Sequence, residues 1–166
     1  IKQIHNRPFD EYLKEKEEGE LSEAFWNASL PQSLDTSVAS SPYFNVFLAS
    51  QVKANDKGFL SKDVLVSDLV SLRGDIHHLF PRDFLKKNGL ERGKYNQIAN
   101  YVYMQSEINI KVGNKPPKDY FALIHQQMAE DNRLVSGLST EQELLDNLKA
   151  SCIPAEIINM GIDDYT

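Results

Sequence analysis

The chain has 166 residues, 41% of them hydrophobic and 25% charged, with a net charge of −6. That length can bury a real core, and the composition is that of an ordinary globular domain. No apolar run approaches the roughly 18 residues of a membrane span, and a single cysteine, Cys152, excludes an internal disulfide and a CxxC zinc site.

No basic-then-apolar leader is visible, and the first residue is Ile1 rather than Met. The chain therefore reads as a piece cut from a longer protein. One cysteine fits a reduced, cytoplasmic setting. Cys152 stands among apolar residues before Pro154, which predicts a buried structural thiol.

Residues 9–29 have Phe9, Tyr12, Leu13, Leu21, Phe25 and Ala28 at helical spacing, with Gly19 as a break. Trp26, Tyr43 and Phe44 are expected in the core. The Ser- and Thr-rich stretch 31–42 predicts a loop. A helix follows with Phe44, Phe47, Leu48 and Val52 on one face, and Asn55-Asp56-Lys57-Gly58 is a turn signal. Ser61 is a candidate cap for the next helix, whose inner stripe is Leu65, Leu69 and Leu72, and Arg73-Gly74 ends it.

The pattern then changes. Residues 75–80, bounded by Gly74 and Pro81, predict a short strand. Residues 82–97 are polar and basic, with Gly89 and Gly93, and predict a loop. Residues 98–105 include Tyr101, Val102 and Tyr103 and predict a second strand. Ser106 can cap a short helix through Lys111. Pro116-Pro117 opens a helix with Tyr120, Phe121, Ile124 and Met128 inward. Thr140 and Glu143 form a capping box before Leu144, Leu145 and Leu148. Pro154 starts a last short helix with Ile157 and Ile158.

This pattern gives an α+β fold of one compact domain in three regions: helical support over 1–73, a strand–loop–strand–helix core over 74–118, and helical support over 119–166. Charge follows the same division. Residues 77–118 carry eight Lys and Arg against three carboxylates, a net of +5, which leaves −11 for the rest of the chain. A basic segment in an acidic chain fits one local anionic ligand, although lysines on a solvated face give the same count.

The core holds His77-His78-Leu79-Phe80-Pro81, then Asn96 and Asn100, then Asn109, then Lys111 and Lys115. A neutral imidazole near pH 7 suits the task of taking a proton from an attacking water. A hard divalent cation suits the negative charge that builds on a phosphate under attack, and it prefers oxygen ligands while tolerating imidazole. Adjacent histidines on a strand face opposite ways unless the strand ends there, and Pro81 makes an early end plausible. Asn96 reads as a turn residue. His5 and His125 read as surface or core histidines. Tyr101 and Tyr103 offer faces for base stacking, but strand packing is the expected role.

Three segments together resemble the HNH nuclease signature: Asp75-Ile-His-His-Leu-Phe-Pro81, Asn96-Gln-Ile-Ala-Asn100, and Asn109-Ile-Lys-Val-Gly-Asn-Lys-Pro-Pro117. More closely, they are similar to the C-terminal domain of GmrSD-type, modification-dependent restriction endonucleases. Pro42-Tyr-Phe44 and Gly58-Phe-Leu-Ser61 add to the likeness, which covers roughly residues 42–120. The resemblance implies a ββα-metal (HNH, or His-Me finger) core set in a mainly helical domain. It implies a metal-dependent endonuclease that hydrolyses DNA in bacterial restriction and anti-phage defence.

Carried over by position, His78 matches the general base and Asn100 the asparagine that holds the loop and helps orient that base. His77 and Asn109 match the metal ligands. Lys111 and Lys115 fall where basic residues approach phosphate, and Arg82 is a further candidate for phosphate contact. His77 stands where relatives often have a carboxylate, with Asp75 a substitute ligand. The implied cofactor is a divalent metal ion, Mg²⁺ or Mn²⁺ first, with Ni²⁺ or Zn²⁺ as alternatives since imidazole favours softer metals. The resemblance implies DNA as partner and a separate N-terminal NTP-binding domain of the same parent; this chain shows no GxxxxGK[ST] loop, so an NTP site is expected outside it. Two other readings stay open: an RNase or structure-specific nickase, and an inactive HNH fold that binds nucleic acid or protein.

Overall fold

The computed structural model describes residues 7–36, 39–72, 76–130, 132 and 135–165. The chain divides into two units, Ile1–Thr36 and Ser37–Thr166. Residues 37–72 thus belong to the same unit as the strands.

In the first unit, helix α1 spans Phe9–Glu20. Its side chains form exposed ion pairs: Lys16 to Glu20 at 2.6 Å, Lys14 to Glu18 at 3.9 Å, and Arg7 to Glu15. None of its residues is buried. The break falls just after Gly19, as expected. A single π-helical turn, Phe25–Ser29, then leads into α2, Leu30–Leu34, inside a stretch whose composition predicts loop. Trp26 is 52% exposed, which corrects its expected place in the core. Its indole Nε1–H donates to Leu21 O at 3.0 Å, so the ring lies along the turn.

The second unit opens with α3, Pro42–Ala54, which has Pro42 at its first position and Asn55 in the left-handed conformation at its end. Phe44 and Gln51 are its buried residues, while Val52 lies exposed. Tyr43, also expected inside, is at the surface. Helix α4 begins at Val66, not at Ser61, and runs to Ser71. Ser61 instead donates from its hydroxyl to Gln105 Oε1 and accepts from Val64 N–H. The later start rotates the inner stripe to Val66 and Leu69. Leu72, past the helix end, is 80% exposed, contrary to expectation. The stop signal Arg73-Gly74 lies outside the described residues, as do Asp75 and His5.

Strand β1, Ile76–His78, pairs antiparallel with β2, Tyr101–Tyr103, in the register Ile76 to Tyr103, His77 to Val102 and His78 to Tyr101. The long connection is not a plain loop. It carries α5 (Arg82–Lys87), α6 (Arg92–Tyr95) and a 3₁₀ turn at Ile98–Asn100, which shortens the second strand from the expected 98–105. Helix α7, Ser106–Val112, follows. Next come α8, Pro117–Ala129, and α9, Glu141–Ala150, with 3₁₀ turns at Ala155–Asn159 and Ile162–Asp164. Thr140 Oγ1 accepts from Glu143 N–H at 3.2 Å, and Glu143 accepts from Ser139 N–H. On α9 the inner residues are Leu144, Leu148 and Asn147, while Leu145 is exposed.

The core of this unit joins Leu79, Phe80, Val102 and Met104 of the sheet region to Tyr120, Phe121 and Ile124 of α8 and Leu144 and Leu148 of α9. Asn147 ties the segment 58–60 into it. Its Oδ1 accepts from Leu60 N–H at 2.8 Å and its Nδ2 donates to Gly58 O at 3.0 Å. A Cβ at Gly58 would fall 2.6 Å from Leu69 Cδ1, so a side chain there would require Leu69 to shift.

Cys152 is exposed, not buried. The reason lies in how α9 ends. Ile153 N–H reaches back to Leu148 O and Cys152 N–H to Lys149 O, the two bonds of a Schellman turn. That turn needs a left-handed residue at Cys152, whose φ is +54°, and it aims the side chain outward. Glycine is the natural occupant. Cys152→Gly is expected to stabilise the fold by about 0.5–1 kcal/mol, the relief of left-handed strain less the extra freedom of an unfolded glycine. The check is a urea midpoint that rises at constant m-value. A midpoint that falls would mean the thiol makes contacts worth more than the strain.

Candidate active site

The site is built around the end of β1. Every backbone polar group of Leu79 and Phe80 is engaged. Leu79 N–H donates to Asn100 O at 2.8 Å, and the buried Tyr120 hydroxyl donates to Leu79 O at 3.2 Å. Phe80 N–H donates to Asn100 Oδ1 at 2.7 Å, and Asn100 Nδ2 donates to Phe80 O at 3.1 Å and to Tyr95 O at 3.2 Å. An asparagine side chain thus replaces a neighbouring strand at Phe80, and the ladder stops at His78. Buried peptide groups demand partners, so Asn100, itself 3% exposed, fixes where the strand ends.

That early end has a consequence for the histidines. In register, His77 lies opposite buried Val102 and His78 opposite Tyr101. Both nevertheless border one groove of about 510 Å³, a size that accepts a small ligand or one segment of a larger one. Its walls come from β1 and the turn after it (Ile76, His77, His78, Pro81, Arg82, Asp83) and from α7 and its end (Asn109, Ile110, Gly113, Asn114). Residues 31 or more positions apart in sequence, His77 and His78 on one side and Asn109 on the other, are brought to one cleft. Gly113, at φ +59°, turns the chain at the end of α7 and lets it form the far wall.

His78 is half-buried. Burial lowers its pKa, and the nearby Arg82 guanidinium lowers it further, while the bond to Asn96 acts in the opposite direction. The ring meets Tyr101 edge-on at 5.2 Å and 88°. Tyr101 in turn meets Phe44 at 6.0 Å, so its ring serves strand packing, as expected. His78 Nε2 lies 3.0 Å from Asn96 Oδ1. Sequence reasoning missed this contact: eighteen residues and two short helices separate the pair, and nothing in the spacing signals it.

The candidate cation-holding residues, His77 and Asn109, both line the groove. His77 Nε2 is shielded from solvent. Among the described residues no three His, Cys, Asp or Glu side chains cluster as a metal cage. Two donors of this kind fit a cation whose remaining positions belong to water and phosphate oxygens, not a closed structural site.

The basic candidates separate. Arg82 borders the groove, with its Nε 3.5 Å from Asp83 Oδ1. Lys111 and Lys115 are exposed and outside the groove walls. Lys115 Nζ reaches Lys111 O at 3.4 Å and Val112 O at 3.5 Å, capping the carbonyl end of α7. His125 pairs with Glu141 at 3.1 Å on the surface, away from these residues.

Among the described residues no helix is long and apolar enough to cross a membrane. Comparison of the chain with protein-family models, curated proteins and solved structures finds no match in any of the three.

Proposed function

We propose that residues 76–112 form an HNH-type ββα-metal site that hydrolyses DNA phosphodiester bonds with a divalent cation. One observation carries the reading: two histidines at a strand end and an asparagine on the following helix share a single cleft, with a buried asparagine pinning the turn between them. The order strand, long connection, strand, helix supports it, as does the resemblance of the same residues to the HNH signature. A role in restriction of foreign DNA in the bacterial cytoplasm, with an NTP-binding domain elsewhere in the parent, is part of the same proposal and rests on the resemblance.

His78 is the general base. Its environment favours the neutral ring at pH 7, so its lone pair is ready to take a proton from water as that water attacks phosphorus. His77 and Asn109 would hold the cation. When bound, a divalent cation supplies charge stabilisation to the phosphate and to the departing 3′ oxygen. Arg82, on the groove wall, would bind a flanking phosphate. Asn100 touches no substrate; it holds the turn that aims His78.

The test is supercoiled plasmid incubated with the protein and Mg²⁺, Mn²⁺, Ni²⁺ or Zn²⁺, beside EDTA. Nicked circles with at least one metal, none with EDTA, and loss of nicking in Asn109→Ala are expected. Cleavage of RNA but not of DNA would move the substrate and keep the chemistry. A folded protein inert on DNA and RNA with every metal would overturn the reading in favour of a binding module.

A further inference from the structure

Asn96 sits at the end of α6, outside the groove walls, and is half-buried. Its side chain does not help build the turn, a task already filled by Asn100. It meets His78, with 3.0 Å between Asn96 Oδ1 and Nε2. An amide oxygen only accepts, so this bond needs the ring proton on Nε2. The second ring nitrogen, Nδ1, is then the bare one. Tyr101 packs edge-on against the same ring.

We infer that Asn96 is a positioning residue that holds His78 as the Nε2–H tautomer and leaves Nδ1 as the proton acceptor. The inference rests on His78 being the general base, but its first readout does not. Neutral imidazole in water exchanges between two tautomers, and only one presents its lone pair to a given water. A fixed acceptor at Nε2 removes the wrong tautomer and the wrong ring flip together. Asn96 does this without a charge, so the ring is oriented while the site gains no anion.

Long-range ¹H–¹⁵N correlation spectra of the labelled full chain at pH 8 report which nitrogen of His78 is protonated. Nε2–H is expected in the wild type. An Nδ1–H ring would mean that the Asn96 amide donates instead, and would overturn the inference. Asn96→Ala is expected to mix the tautomers and lower kcat on the order of 10–100-fold with KM little changed. Asn96→Asp, which keeps an acceptor, is expected to restore both the tautomer and most of kcat at that pH. Thermal melts of both variants separate positioning from folding, because a merely structural role would not be rescued in step with the tautomer.

The two layers fail differently. An inert protein whose His78 tautomer responds to Asn96→Ala overturns the nuclease reading alone. An active protein whose tautomer and kcat ignore Asn96→Ala overturns the inference alone.

Discussion

His78→Ala is expected to lower metal-supported DNA cleavage by about 10²–10⁴-fold, the usual worth of a positioned general base, while the melting temperature stays near that of the wild type. The fold should tolerate the change because the strand end is fixed by the Phe80 backbone and Asn100, not by the imidazole. The pH dependence carries a second expectation. The active form is the unprotonated ring, so the rate rises with pH through the His78 pKa and then levels. Burial and Arg82 place that pKa below the ordinary histidine value of 6.5, so the rise should be complete by neutral pH. Arg82→Gln removes one of the two lowering influences. Its rising limb should shift toward higher pH, and its KM should increase because a groove-wall cation is lost. Activity that survives His78→Ala, or a rate that falls as the pH rises from the acid range to neutrality, would sink the assignment of the base.

Much of the site is legible in the sequence because its logic is local. Pro81 makes an early strand end plausible, and the strand expected over 75–80 ends at His78. Asn100 falls just before a β-rich triplet and Asn109 in a short helix, so a strand–loop–strand–helix order is one that can bring them to the histidines. Pro117, Thr140 and Glu143 announce helix starts through capping chemistry that depends on a few neighbouring residues.

What escapes the sequence depends on contacts that only the tertiary fold makes. Asn96 looks like any turn asparagine until α6 carries it to His78. The helices α5 and α6 hide in a stretch whose glycines, Gly89 and Gly93, argue for loop; each is a turn or two long and is held by burial of Leu85 and the half-buried Tyr95. Lys115 reads as a phosphate contact by its place in the motif, yet the left-handed turn at Gly113 folds its ammonium back over the carbonyls of α7. Cys152 and Leu72 are apolar by composition and exposed by geometry, because each sits where a helix has just ended.

Asn100→Ala is expected to be the most destabilising single change at the site. Its side chain serves three backbone groups. One of them, Tyr95 O, keeps a share of the Tyr165 hydroxyl at 3.4 Å, although the single proton of that hydroxyl has a closer acceptor in Lys94 O at 2.9 Å; burial raises its pKa to about 12, so it remains a donor at any working pH. The other two, Phe80 N–H and Phe80 O, are not relieved in this way. Leaving each unsatisfied costs about 1–3 kcal/mol, so a loss of about 2–6 kcal/mol is expected, a large share of the 5–15 kcal/mol that holds a typical domain together. Asn100→Asp keeps the acceptor for Phe80 N–H but sets a carboxylate against two carbonyl oxygens, and it should destabilise by a comparable amount unless protonated. Urea midpoints would measure both variants. Cleavage assayed at a temperature where each remains folded should still fall, because the turn that aims His78 has lost its clamp. An Asn100→Ala protein with the wild-type midpoint would show that water or a shifted backbone satisfies Phe80 equally well, and that the strand end is set by something other than this side chain.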